Sequence, residues 1–214
     1  MAMIPNKRST MTLYSGALDI YSHRVRIVLA EKGVTYEVIN VEGKQKPQEL
    51  LELSPYGAVP TLVDRDLAIY DANIAMEYLD ERFPHPPLMP VYPIARAKAK
   101  LVIYRIDREW GPLIRKLETG KASESRVAAK EFSSHLIELA PVFNAGPYFL
   151  GEDFTIVDCC ILPILWRLSS WEIALPPAET KAINKYAKRL FQKDCFQASL
   201  TEAELELLKT ADVD

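Results

Sequence analysis

Two short stretches of this 214-residue chain combine residue types at spacings that could do chemistry or position it. The first is Ala58-Val59-Pro60-Thr61. A cis proline just before a strand turns the backbone polar groups of the preceding residue outward, where they can pair with a peptide-like ligand. Cis bonds make up only about 5–6% of X-Pro bonds in general, and a trans proline opening a strand is the plain alternative. The place of Pro60, between a helix and a hairpin, favours cis. The second stretch is Phe154-Thr155-Ile156-Val157-Asp158. Thr155 with Asp158 three residues on reads as a capping box, Asp standing in for the usual Glu or Gln. Phe154 before the cap and Cys159 after it complete a hydrophobic staple. The run from Cys159 to Trp166 is apolar nearly all round, which predicts a buried helix. Thr155 and Asp158 are therefore expected to be folding devices and not catalysts.

The remaining reactive side chains are scattered. His23, His85 and His135 form no ligand pair, and Cys159, Cys160 and Cys195 show no CxxC spacing. That usage suits a reducing compartment, with neither a disulfide framework nor a zinc site. No metal, cofactor or catalytic residue is expected. Trp110, Trp166 and Trp171 read as core or dimer residues, and Cys159 and Cys160 as packing thiols. The chain is 49% hydrophobic and 26% charged, which is globular material and too apolar for disorder. A net charge of -3 supplies no global basic field, which argues against direct nucleic-acid binding. No stretch approaches the ~20 apolar residues of a membrane span, and no apolar run follows Lys7 and Arg8 as in a secretory signal. The cytoplasm is the expected compartment.

These residues must be positioned by regular elements, and periodicity supplies them. Met11–Tyr14 and Tyr36–Val41 read as strands, with a helix over Ser22–Lys32 stopped by Gly33. A polar helix carrying Leu50, Leu51 and Leu53 follows. Thr61–Val63 and Ala68–Tyr70 flank Asp64-Arg65-Asp66 as a hairpin, and Asp71–Phe83 is helical. Strand, helix, strand, helix, hairpin, helix is a thioredoxin-like plan. Five prolines then fall within Pro84–Pro93, which forbids helix and favours extended backbone. Beyond them all is helical: Ile94–Leu117, Ser125–Leu139, Thr155–Leu168, Pro177–Lys193 and Thr201–Lys209. The expected organisation is a thioredoxin-like α/β domain over 10–83, a proline-rich linker over 84–93 and an all-α domain over 94–210. Arg96, Lys98, Lys100, Arg105 and Arg108 give the first helix of that domain a basic bias, most simply a solvated face.

The blocks SHRVRIVLAEKG, AVPTLVD, DANIAMEYLDERFP and FTIVDCCILPIL, in this order, resemble the glutathione-transferase superfamily. The resemblance implies its two-domain fold over about Met11 to Phe196. In that family a serine or cysteine after the first strand activates the thiol; the alignment puts Asp19 there. An ionised Asp is an acceptor only and repels a thiolate, although Tyr14, Ser15 and Ser22 lie nearby as alternative donors. At Asp71-Ala72 the acid is kept, but the hydroxyl that would follow it is gone. Only the Val59-Pro60 backbone matches fully, so Asp19, Val59, Pro60, Asp71 and Ala72 read as a vestigial glutathione site.

Within the superfamily the chain is most similar to the stringent starvation protein A family, on Asn6–Ser9, Asp19–His23, Ser199–Glu204 and above all the run Glu77 to Pro93. The resemblance implies a homodimer that binds RNA polymerase holoenzyme with its primary sigma factor and redirects transcription in stress or stationary phase. Related subunits or other regulators are further implied partners. The family's Pro-His-Pro surface maps onto Pro84, His85 and Pro86, with Pro87 and Tyr92 close by. A proline-rich segment is rigid before it docks, and His and Tyr carry polar tips on apolar bodies. Read from its composition alone, the same segment is a linker with a solvated His85. An unconventional glutathione-dependent transferase or reductase is the alternative.

Overall fold

The computed structural model describes residues 10–43, 46–173 and 175–211, with side chains described through 207; Asn6–Ser9 lie outside the described residues. In chain order the elements are β1 (Met11–Ser15), α1 (Ile20–Glu31), β2 (Tyr36–Asn40), α2 (Gln48–Leu53), β3 (Thr61–Asp64), β4 (Leu67–Ile69) and α3 (Ala72–Arg82). There follow α4 (Pro93–Arg105), a π-helical turn (Ile106–Trp110), α5 (Gly111–Thr119), α6 (Ala122–Ala145), α7 (Ile156–Trp166), α8 (Pro177–Phe191), α9 (Asp194–Ser199) and α10 (Glu202–Ala211). The chain divides into two compact units. The first ends at Pro87 and takes in Asp194–Glu206; the second spans Leu88–Lys193 and resumes at Leu207.

The first unit is built on a four-stranded sheet of order β2-β1-β3-β4. β1 runs parallel to β2, which requires the crossover that α1 provides. β3 is antiparallel to β1, with Leu13 opposite Leu62, and β4 returns as a hairpin. Its turn has Arg65 in the left-handed region at φ 57. This is the thioredoxin-like plan. All five residues of β1 are buried, and Leu13, Val25, Leu29, Leu62, Met76 and Leu79 have no exposed surface. α1 starts at Ile20, two residues before the periodicity suggests, because Asp19 caps it: its Oδ2 accepts from Ser22 N at 2.6 Å. Gly33, at φ 61, terminates the helix as expected.

The C-terminal segment completes this unit through polar groups that the sequence does not advertise. α9 packs on α1. Arg26 of α1 places one terminal nitrogen 2.8 Å from each oxygen of Glu204. Its Nε donates to the Ser199 carbonyl at 2.8 Å, and its other terminal nitrogen donates to Ser15 Oγ at 2.6 Å. Imidazole Nδ1 of His23 lies 3.0 Å from Glu204 Oε1, and Nε2 lies 3.0 Å from Ser199 Oγ. Glu204 also caps α10, accepting from Thr201 N at 3.0 Å. His23 and Glu204 have no exposed surface, and Arg26 only 3%.

In the second unit the single helix expected over Ile94–Leu117 is instead α4, the π-helical turn and α5. Pro112 is the cause. It lacks the N–H that would bond back to the residue four before it, and the wider turn just ahead absorbs the missing bond. α6 runs well past the expected Leu139 and carries Pro141 inside it. The core is aromatic. Phe132 meets Trp110 and Trp171 edge-on at 5.2 and 6.3 Å, and Trp166 meets Phe191 at 4.8 Å. Cys159 and Cys160 are buried here, as is Cys195 in the first unit, and none of them is in a disulfide among the described residues.

Removing one partner of a fully buried ion pair leaves an unmatched charge, which costs about 3–5 kcal/mol. Glu204→Ala is therefore expected to lower stability by about that amount in a urea melt, and Glu204→Gln by less. Equal stability of Glu204→Ala and the parent would show that the pair does not hold the segment.

Candidate functional site

The corner between β1 and α1 holds Asp19, the first residue of the expected vestigial glutathione site. Gly16 permits a close approach there: a Cβ on it would stand 2.8 Å from Asp19 Cβ and 3.4 Å from Val59 Cγ2. The structure thus brings Asp19 and Val59 together around one glycine. Val59–Pro60 is cis, as expected, and Thr61 Oγ1 donates to the Ala58 carbonyl at 2.7 Å, fixing the approach to β3.

The polar side chains around this corner are buried or bonded to the backbone. Asp19 is the α1 N-cap, and its ionised carboxylate is an acceptor only. Ser22 is fully buried, and its Oγ accepts from Gly16 N at 3.1 Å. Ser15 is fully buried, accepts from Arg26 and donates to the Gly16 carbonyl at 3.3 Å. Tyr14 has no exposed surface. Arg26 and Glu204 are therefore residues of this corner that motif reading missed; a charged pair 178 positions apart leaves no local signal.

Asp71 and Ala72 open α3. Asp71 is its N-cap, with Oδ1 accepting from Ile74 N at 3.0 Å. Ala72 is buried and supplies no polar group.

Pro84, His85, Pro86 and Pro87 are all exposed and end the first unit. Their shape is set from beneath. His85–Pro86 is a second cis bond, one the sequence did not signal. Buried Lys32 Nζ donates to Asp80 Oδ1 at 2.7 Å and to the Pro86 carbonyl. Tyr92, in the second unit, is the N-cap residue of α4 and is 79% exposed.

Thr155 and Asp158 do form the expected capping box at α7. Asp158 Oδ2 accepts from Thr155 N at 2.8 Å and Thr155 Oγ1 at 3.1 Å. Its Oδ1 accepts from Phe149 N at 2.9 Å and the Tyr186 hydroxyl at 2.5 Å. Burial pushes the Asp158 carboxyl up, against these four bonds, which pull it down. Among the described residues no group of His, Cys, Asp and Glu could hold a metal ion, and no helix is long and apolar enough to cross a membrane.

Comparison with known proteins places these features. Residues 20–82 match the family model for the glutathione S-transferase N-terminal domain, and residues 94–194 that for its C-terminal domain. A stringent starvation protein A homolog of Coxiella burnetii is 51% identical over 201 residues, covering 94% of this chain and 96% of that protein. A homolog of the same name from Pasteurella multocida is 50% identical over 200 residues, covering 94% of each. Among solved structures, glutathione transferase Omega 3C from Trametes versicolor superposes with a TM-score of 0.79 at 27% identity. It covers 92% of this chain and 90% of its own.

The capping box lies inside the matched C-terminal region and yields a pH test. Burial first, then the charge of Asp158, raises the Tyr186 hydroxyl well above the ordinary tyrosine value of 10.0. The folded chain thus keeps this proton at pH values where the unfolded chain has lost it. Stability must then fall as pH rises above about 10. Tyr186→Phe is expected to cost about 1–3 kcal/mol at pH 7 by removing a buried donor. It should also make the alkaline loss of stability shallower in urea melts from pH 8 to 11. An unchanged slope would show that Tyr186 titrates normally.

Proposed function

We propose that this chain, which belongs to the stringent starvation protein A family within the glutathione-transferase superfamily, is a regulator that works by touching RNA polymerase and not by glutathione chemistry. It acts on the holoenzyme with its primary sigma factor, in stress or stationary phase, as a homodimer, with related subunits as further partners. The Pro84–Pro87 segment, with Tyr92, makes the contact. Its single strongest support is that this segment is exposed while its backbone is tied to a buried lysine. A surface shaped before binding loses little entropy on docking. The net charge of -3 supports a protein handle over direct contact with nucleic acid.

Against glutathione chemistry stand the roles these residues already hold. Asp19 serves α1 as its cap, Ser15 and Ser22 are buried and bonded, and Ala72 offers no hydroxyl. An activating group needs a donor facing the thiol; Asp19 and Ala72 have none to give, and Ser15 donates to the Gly16 carbonyl.

A second reading, a glutathione-dependent transferase or reductase, draws on one specific observation. Asp71 keeps the acid that the resemblance places at the start of α3, where it caps the helix.

Purified protein is expected to capture RNA polymerase holoenzyme from host extract, and His85→Ala to lose most of that capture. Capture by both proteins would move the contact elsewhere; capture by neither would remove the polymerase reading. The parent is also expected to pass through immobilised glutathione unretained. Retention together with a conjugation rate would favour the enzyme reading.

A further inference from the structure

The second unit carries a groove of about 410 Å³ beside Tyr92. Its apolar lining comes from Pro90 and Val91 ahead of α4, from Ala95 in its first turn and from Leu150 in the turn before α7. Its charged lining is Lys98, Glu152 and Asp153. Tyr92 contributes to the same lining.

Both walls are anchored. Leu88 and Met89 are buried at 1% and 3%, and the Leu88 carbonyl accepts from Ile156 N at 2.9 Å. Across the groove, Tyr148 N donates to the Gly151 carbonyl at 2.9 Å and Gly151 N to the Tyr148 carbonyl at 3.1 Å. These bonds close a tight turn with Leu150 near its tip, and Gly151 takes φ 125, a backbone that a side chain would strain. Asp158 holds the Phe149 amide from behind. Such a groove changes little on filling, which lowers the cost of binding.

Apolar surface is left in water at this place. Val91 and Tyr92 are each 79% exposed, and Leu150 is 39% exposed. Adjoining exposed apolar side chains rimmed by charge mark an interaction surface. The rim also selects the kind of occupant. Lys98, Glu152 and Asp153 have no ion-pair partner among the described residues. Two carboxylates against one ammonium leave the rim net negative, which repels phosphate and favours a cation. An arginine suits a carboxylate rim best, since its planar fork pairs with two oxygens at once.

We propose that this groove seats a stretch of protein that carries an apolar or aromatic side chain beside an arginine or lysine, contributed by the same partner that meets Pro84–Pro87. The inference rests on the reading of the chain as a polymerase-binding protein, and adds to it the chemistry of the partner's segment. Val91 and Leu150 receive the anchor, while Glu152 and Asp153 receive the basic group.

The test titrates full-length protein with purified RNA polymerase holoenzyme at low and moderate salt. It compares the parent with Glu152→Lys/Asp153→Lys, with Lys98→Glu and with His85→Ala. All the altered groove side chains are exposed, and a thermal melt verifies that each variant is folded. The double reversal is expected to weaken binding by about three- to tenfold at low salt and by less at moderate salt. Lys98→Glu is expected to tighten it by about twofold. Unchanged or tighter binding by the double reversal, with loss in His85→Ala, would overturn the groove and leave the function standing. Weakening by both the double reversal and Lys98→Glu would overturn the basic segment. No binding by the parent would overturn both readings.

Discussion

A carboxylate removed from water must be met by an opposite charge and by donors, because its desolvation otherwise outweighs anything that folding gains there. Glu204 is in that position, and Arg26, His23 and the Thr201 amide all converge on it. The arrangement joins a segment near the C-terminus to the first helix of the chain. Through Arg26 it reaches Ser15 and the Gly16 carbonyl, which shape the corner between β1 and α1. Thr201 adds a bond from its hydroxyl to the Ala17 carbonyl at 2.9 Å. The first unit is thus completed by residues far from it in sequence, and the corner cannot be understood from the first eighty residues alone.

The same residue types recur in another use. Asp19, Asp71 and Asp158 each receive the backbone N–H groups that open a helix. Capping satisfies donors that the helix cannot satisfy internally, and a negative side chain also meets the positive end of the dipole. A carboxylate so engaged is a stabilising part and a poor reagent. Where the superfamily resemblance implies an activating hydroxyl or thiol, this chain has such a cap. Asp19 at that place holds the start of α1.

How much of this was legible in the sequence follows from the range of each interaction. Caps and stops are local, so Gly33, Thr155 with Asp158 and the hairpin at Arg65 could be read from a few residues each. The alternation of β2 and the proline at Pro60 were similarly local, and with the order of the elements they conveyed the thioredoxin-like plan. The break between α4 and α5 was missed because the apolar stripe continues through it, while Pro112 perturbs hydrogen bonds and not periodicity. α9 was missed because it is six residues long and gains its place by packing on α1. The Arg26–Glu204 pairing and the hold of Lys32 on Pro86 join distant residues, and no window along the chain contains both partners. In the candidate site the surface residues were named from resemblance, and the groove beside Leu150 went unseen because two separate segments line it.

Lys32 is a support and not a surface. Its ammonium is buried under the proline segment and divides its bonds between the Asp80 carboxylate and the Pro86 carbonyl. A lysine so placed is closed to acylating enzymes and reagents, which need a free amine in solvent. An allele at Lys32 or Asp80 that abolished partner binding would therefore report on the shape of the segment above it. Genetics alone would count these positions as contacts, and only their burial separates the support from the surface it supports.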